Sequence, residues 1–155
     1  MAHNTPPDPK ALHGRSIAHS REIEVTWGDC DAAGVVFYPR FYAFFDACTH
    51  SLLSASGLDH HTLRHEHGLL GTPLVKASAE FLSPATYGDT LHATTTLSKL
   101  GGKSFKVTHR LAIGERAVAI GEEIRVWAIS DAGAPHGMKA VAPNPQIMAQ
   151  LLKEK

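Results

Sequence analysis

The hydrophobic pattern of this chain changes its period once, and this change limits the folds that the chain can adopt. Apolar side chains recur at helical spacing from Phe41 to Leu52, in a segment that begins near Pro39 and ends near Gly57. From Thr72 onwards, apolar and polar side chains alternate as they do in strands. The pattern therefore predicts one long buried helix that packs against a sheet.

Several alternating segments are separated by residues that favour tight turns, such as Gly101-Gly102 and Gly114-Glu115. Turns this short join antiparallel neighbours, so the pattern predicts an antiparallel meander of about four strands after the helix. The expected strands are Arg21–Trp27, Thr72–Leu82, the segment around Leu91–Ser98, Ser104–Ile113 and Ala117–Ile129. Short helices are expected at His60–His67 and Pro143–Lys153.

Size and charge exclude some classes of protein. With 155 residues, the chain is expected to form a single domain over residues 20–155, preceded by a flexible tail at residues 1–19. Lys plus Arg and Asp plus Glu each number 15, so no broad basic surface for nucleic acid is expected. No apolar run is long enough for a membrane span. The two cysteines, Cys30 and Cys48, indicate reduced thiols in a cytoplasmic protein.

Two acids and two glycines precede the long helix, in the segment from Trp27 to Pro39. A carboxylate in this turn would face the amino end of the helix, where unpaired N–H groups collect. Asp31 is therefore a candidate for acyl transfer or hydrolysis, although a turn-capping role also fits the residue type. Asp29 is expected to be structural, and Gly34 to serve a backbone with positive φ or a close approach.

This segment resembles the signature of the 4-hydroxybenzoyl-CoA thioesterase family of hot-dog-fold enzymes. The resemblance covers roughly residues 20–145 and is carried by Asp31-x-x-Gly34-Val35-Val36-Phe37-Tyr38-Pro39, Asp46-Ala47, Gly71-Thr72-Pro73, Lys103-Ser104-Phe105 and Glu123-Ile124-Arg125-Val126. It implies an α+β fold in which an antiparallel sheet wraps around a long central helix.

The resemblance also implies roles for individual residues. Asp31 would be the catalytic carboxylate, acting as a nucleophile or as a base, and the backbone N–H of Tyr38 would bind the thioester oxygen. Gly34, Asp46 and Thr72 are expected to lie at the substrate. Of a run of three basic residues that binds nucleotide phosphates in the compared enzyme, this chain keeps only Lys103. Either the affinity for the nucleotide is weaker, or other cations such as Lys99, Lys106 or Arg110 compensate.

The function implied is hydrolysis of an aromatic acyl-CoA ester, such as a 4-hydroxybenzoyl or benzoyl ester, to the free acid and CoA. The alternatives are a thioesterase for aliphatic acyl-CoA or acyl carrier protein, and a non-catalytic acyl-CoA-binding module. No cofactor is expected, since CoA is part of the substrate, and no metal, although His61 and His65 stand four residues apart. A metal-dependent phosphatase is disfavoured, because that class needs a parallel α/β core and the predicted sheet is antiparallel.

Two further expectations concern contacts. His50 lies four residues after Asp46 on the helix, so the two side chains either pair or make only surface contacts. The resemblance implies a homo-oligomer, a dimer or a dimer of dimers (a homotetramer), with the active site between two subunits. A single sheet with one helix also leaves apolar surface for such an interface.

Overall fold

A five-stranded antiparallel sheet forms the centre of the computed structural model, which describes residues 17–153. Its strands are β1 (Ile17–Glu24), β2 (Leu74–Phe81), β3 (Thr90–Leu100), β4 (Ser104–Ile113) and β5 (Arg116–Val126), in the spatial order β1-β3-β4-β5-β2. The long helix α1 (Tyr38–Ala55) packs on one face of this sheet. The smaller elements are α2 (His60–His65), a hairpin of β6 (Ala128–Ser130) and β7 (Met138–Ala140), and α3 (Pro145–Leu151).

The apolar stripe of α1 is buried against the sheet, as its spacing predicted. Phe45 and Cys48 are almost completely buried, and the Phe45 ring stacks on the His109 imidazole of β4 with 5.0 Å between centroids. The closest approach is at Gly121 of β5, where an added Cβ would lie 2.4 Å from the Phe45 ring. Glycine at this position therefore sets the distance between helix and sheet.

Replacing Gly121 with alanine is expected to destabilise the fold. The added methyl group forces the Phe45 ring or the backbone of β5 to move, and such overpacking costs about 1–3 kcal/mol. The free energy of unfolding, measured by urea denaturation, checks this value. Gly102→Ala is the matched control, because an added Cβ there meets no atom within 4 Å. Equal stabilities of the two variants would contradict the packing argument.

Strand β2 does not lie where the predicted meander placed it. The hairpins β3–β4 and β4–β5 are present, but β2 pairs with β5 at the edge of the sheet and not with β3. Pairing of strands that are distant in the sequence leaves no turn signal, so local periodicity could not reveal it. The consequence is that β1 and β2 are the two edge strands.

The ends of several elements also differ from prediction. The first strand begins at Ile17, within the segment expected to be a tail, and it ends at Glu24, because Trp27 begins a short 3₁₀ helix. The rest of the predicted tail, residues 1–16, lies outside the described residues. The last long strand stops at Val126, and the following Trp127 is completely buried. Strand β7 was not predicted. No helix within residues 17–153 is long and apolar enough to cross a membrane.

Candidate active site

The signature segment folds as a tight turn that leads into α1. Cys30 and Val36 pair across it, and the Asp31 N–H donates to the Val35 carbonyl at 2.9 Å. The Gly34 N–H donates to the Asp31 carbonyl at 2.9 Å. Gly34 has φ +79° with open space around it, so positive φ and not close packing requires the glycine. The turn thereby fixes the backbone of Asp31.

Only one oxygen of the Asp31 carboxylate accepts a hydrogen bond within this turn. Its Oδ1 accepts the Ala33 N–H at 2.8 Å, whereas Oδ2 has no partner among residues 17–153. The side chain is exposed in the single chain. One carboxylate oxygen is therefore available to a reacting group, but nothing among residues 17–153 excludes water from it.

The amino end of α1 presents a free donor beside this turn. Phe37 is the N-cap residue, with an extended backbone and no side-chain hydrogen bond to the helix. Pro39 has no N–H, and the Tyr38 N–H has no acceptor within the described part of the chain. Helix amino ends carry a partial positive charge. The Tyr38 N–H is thus a donor suited to a carbonyl oxygen or an oxyanion.

Asp29 joins the turn to the helix. Its Oδ2 accepts the Thr26 N–H at 2.8 Å, and its Oδ1 lies 2.7 Å from the guanidinium of Arg40 on α1. Burial by itself would raise the pKa of this carboxyl, but the hydrogen bonds from Thr26 and the charge of Arg40 outweigh it and lower the pKa. The Asp29 carbonyl also accepts the Phe37 N–H at 2.8 Å. The structural role predicted for Asp29 is confirmed, and the ion pair with Arg40 adds to it.

A second group of predicted site residues lies midway along α1. Asp46 Oδ1 is 2.6 Å from Nη2 of Arg125 and 3.5 Å from Nε2 of His50. The pairing of Asp46 with His50 is therefore present. Asp46 Oδ2 has no partner within residues 17–153, and the side chain is 55% exposed.

Thr72 belongs to the same group. Its carbonyl accepts a hydrogen bond from Nη1 of Arg125 at 3.0 Å. Its side-chain hydroxyl is buried and has no hydrogen-bond partner in the part of the chain that the structure describes, which costs free energy unless a ligand or water satisfies it. A buried hydroxyl of this kind is a candidate ligand contact.

A buried polar network supports this second group, and the sequence analysis did not predict it. Glu123 and Arg125 are 2% and 4% exposed and form a forked ion pair on the face of β5 that packs under α1. Glu123 also accepts the Thr49 hydroxyl and lies 3.4 Å from Nε2 of His109, whose Nδ1 lies 2.9 Å from Thr95 Oγ1. The available signal was two charges at alternate positions of an otherwise apolar strand face.

The remaining candidate residues lie outside these two groups. Lys103 is exposed at the β3–β4 hairpin, with no partner for its ammonium in the described chain. Burial raises the pKa of the Cys48 thiol, in keeping with the core position expected for it. The rings of His61 and His65 lie 4.4 Å apart, but no three His, Cys, Asp or Glu side chains within residues 17–153 group closely enough to hold a metal ion.

Exposed aromatic rings surround the turn and the start of α1. Tyr38 is 61% exposed and contacts Phe37 and Phe81 with centroid distances of 5.5 and 6.3 Å. Trp27 and Tyr87 form a second exposed pair at 5.6 Å. Because Phe81 ends strand β2, this apolar surface continues from the candidate site to the edge of the sheet.

A family model and several known proteins match most of this chain. Residues 25–151 match the model of the thioesterase-like superfamily. The 4-hydroxybenzoyl-CoA thioesterase of Pseudomonas sp. strain CBS-3 is 35% identical over 124 residues, which cover 76% of this chain and 86% of that enzyme. A 1,4-dihydroxy-2-naphthoyl-CoA hydrolase of Synechococcus elongatus is 26% identical over 102 residues, covering 66% of this chain and 75% of the hydrolase.

Solved structures of thioesterases superpose on this chain. The crystal structure of the Pseudomonas enzyme superposes with a TM-score of 0.79 at 27% identity, covering 86% of this chain and 98% of that one. A gentisyl-coenzyme A thioesterase superposes with a TM-score of 0.71 at 29% identity, covering 86% and 98%. The hot-dog arrangement predicted from the sequence is confirmed by this likeness.

Proposed function

The chain belongs to the thioesterase-like superfamily, and on this premise we propose that it hydrolyses a hydroxylated aromatic acyl-CoA ester. It is an acyl-CoA thioester hydrolase, as its characterised relatives are. The three relatives described above are named for 4-hydroxybenzoyl, 1,4-dihydroxy-2-naphthoyl and gentisyl groups. All three groups are aromatic and carry a hydroxyl, which supports an acyl group of that class for this chain.

The observation that supports the mechanism is that the turn and the helix start directly after it each offer one group without a partner among residues 17–153: an Asp31 carboxylate oxygen and the Tyr38 N–H. In the proposed reaction, the Tyr38 N–H donates to the thioester oxygen, and Asp31 either attacks the carbonyl carbon or removes a proton from the attacking water. The carbon–sulfur bond breaks, CoA leaves as the thiolate, and water supplies the oxygen of the free acid. One well-placed donor to the oxyanion contributes about 3–4 kcal/mol to lowering the barrier.

The second group of residues would bind the far end of the acyl group. Asp46 offers an acceptor oxygen and Thr72 a buried hydroxyl without a partner in the described chain, which together suit a phenolic hydroxyl. Lys103 would contact the CoA phosphates from the exposed hairpin, and Gly34 would shape the turn against the substrate. No cofactor or metal takes part in this scheme.

The proposed active unit is a homodimer, or a dimer of dimers, that joins two β2 edges. The outer edge of β2 pairs with no strand among residues 17–153, and Leu74 and Val75 on it are exposed. Antiparallel pairing of two copies would extend the sheet across a twofold axis. It would also bring the partner toward the aromatic surface at Tyr38 and Phe81, and so supply the exclusion of water that the exposed Asp31 lacks.

Val75→Lys is expected to break this dimer and to remove most of the activity, because it replaces an exposed apolar side chain at the proposed interface with a charge that pairing would have to desolvate. Sedimentation velocity together with thiol release checks both effects. Ser20→Lys places the same charge on the exposed outer face of β1, the opposite edge strand, and should change neither. A wild-type monomer with full activity would rule out the dimer as the active unit.

A panel of thioesters tests the proposed substrate. Thiol release is measured with 4-hydroxybenzoyl-CoA, 2,5-dihydroxybenzoyl-CoA, benzoyl-CoA, hexanoyl-CoA and hexanoyl acyl carrier protein. The hydroxylated aryl esters are expected to give the highest kcat/KM. Faster turnover of hexanoyl-CoA or of the acyl carrier protein would favour the aliphatic thioesterase instead.

A further inference from the structure

One guanidinium holds together both predicted contacts of the acyl group. Arg125 donates from Nη2 to Asp46 at 2.6 Å and from Nη1 to the Thr72 carbonyl at 3.0 Å. Its Nε and Nη2 bind the two oxygens of Glu123 at 3.1 and 3.0 Å. The planar fork of an arginine fixes such partners in direction as well as in distance. Asp46 on α1 and Thr72 before β2 are therefore set relative to each other by a side chain of β5.

We infer that Arg125 is the positioning residue that makes this enzyme select acyl groups with a hydroxyl at their far end. This inference rests on the proposed function and deepens it. Arg125 itself does not reach the substrate in this scheme; it acts through Asp46 and Thr72.

The first argument is the charge of Asp46. A carboxylate covered by an acyl group and a second subunit would lose most of its hydration, and an unpaired charge there is costly. Arg125 places a compensating charge 2.6 Å from Asp46, and a carboxylate can only accept hydrogen bonds. Its Oδ2, free among the described residues, therefore suits a substrate O–H and gains nothing from a plain ring.

The second argument is the rigidity of the arginine. Arg125 is almost fully buried, and Glu123 is in turn bonded to Thr49 on α1 and lies next to His109 on β4. The guanidinium is thus anchored from several elements, which leaves it little freedom to follow a different ligand. The buried hydroxyl of Thr72 has no hydrogen-bond partner within the described chain. A subsite that binds a hydrogen-bonding group needs a free group of this kind.

The experiment compares two esters that differ only in one hydroxyl. The readout is the ratio of kcat/KM for 4-hydroxybenzoyl-CoA to that for benzoyl-CoA, together with the ratio of their Kd values, measured calorimetrically in an Asp31→Asn background. For Arg125→Lys the kcat/KM ratio is expected to fall, and the Kd ratio of 4-hydroxybenzoyl-CoA to benzoyl-CoA to rise, each about tenfold or more. Lysine cannot bridge both partners, and the lost contact is to a charged group. The kcat for benzoyl-CoA should change much less.

Two further variants keep the outcome decisive. The double variant E123Q/R125M removes both charges of the buried pair, which proteins tolerate far better than the loss of one, so it tests selectivity even where Arg125→Lys does not fold. Asp46→Asn should lower the ratio to the same extent, and combining it with Arg125→Lys should give no further loss, because the two residues act as one unit. Arg110→Lys, at an exposed position of β4, is the matched control and should leave the ratio unchanged.

The outcomes separate this inference from the proposed function. Folded Arg125 variants that lose stability but keep the wild-type ratio would show that Arg125 is only structural. A wild-type ratio near one, with rapid hydrolysis of both esters, would overturn the inference and leave the thioesterase intact. Absence of hydrolysis of any aryl ester would overturn the proposed substrate, while the Kd ratio would still report on Arg125.

Discussion

Asp31→Asn is expected to lower kcat for the preferred aryl-CoA ester by about 10²–10⁴-fold, the range that a positioned acid or base contributes. The amide is nearly isosteric with the carboxylate, and its oxygen can still accept the Ala33 N–H, so the turn should survive. What is lost is the charge needed to attack the thioester or to activate water. Stopped-flow or steady-state assays of thiol release measure the effect on kcat, and circular dichroism verifies that the fold is retained.

The chain offers a close control for this variant. Asp131 accepts the Gly133 N–H at 2.9 Å in the same kind of turn, in the connection between β6 and β7. Asp131→Asn should therefore leave kcat unchanged, because the residue lies in a turn without the free helix N–H. If Asp31→Asn keeps the activity of wild type, the turn-capping role accounts for Asp31 and the catalytic assignment fails.

Glu123→Gln is expected to cost about 3 kcal/mol in the free energy of unfolding at pH 7. Burial favours the neutral form of this carboxyl, but hydrogen bonds from His109, Arg125 and Thr49 and the charge of Arg125 outweigh it and lower the pKa from 4.5 to about 2. A shift of this size corresponds to roughly 3 kcal/mol of stability that depends on the ionised form. Loss of one partner of a buried pair has a similar cost.

The pH dependence follows from the direction of this shift. Because the pKa is lowered in the folded state, the stabilisation is complete above the unfolded pKa of about 4.5 and disappears as the pH falls toward 2. The difference in stability between wild type and Glu123→Gln should therefore shrink over this range. Urea denaturation at a series of pH values measures it; a difference that is constant from pH 7 to pH 2.5 would argue against the buried ionised pair.

Glu122→Gln is the matched control for this prediction. Glu122 precedes Glu123 on β5 but points to the opposite face, where it pairs with Lys106 at 2.6 Å and is 45% exposed. Exposed ion pairs of this kind contribute less than about 1 kcal/mol. The contrast between neighbouring glutamates thus isolates the effect of burial.

The local features of this molecule could be predicted from its sequence. The apolar stripe of α1, the hairpin at Gly101-Gly102 and the structural role of Asp29 depend on residues close together in the chain, and periodicity and turn residues report on such neighbours. Gly34 also has the positive φ that its place in the turn suggested. Each of these predictions needed no knowledge of which strand pairs with which.

Features that depend on distant pairing could not be predicted in this way. The edge position of β2 follows from its pairing with β5, about 40 residues later in the chain, and the partners of Arg125 come from α1 and from the segment before β2. Alternation placed Glu123 and Arg125 on one strand face, but it did not say which residues lie opposite. The exposure of Asp31 in the single chain could not be predicted either, since one sequence does not distinguish a surface that the proposed dimer would cover from one that faces solvent.

The most direct test of the catalytic assignment is a crystal structure of the Asp31→Asn variant with bound 4-hydroxybenzoyl-CoA. The proposed mechanism predicts that the thioester oxygen lies about 3 Å from the Tyr38 nitrogen, and that the carbonyl carbon lies about 3–3.5 Å from the side chain at position 31 or from a water bonded to it. A thioester bound with its carbonyl away from both groups would contradict the mechanism.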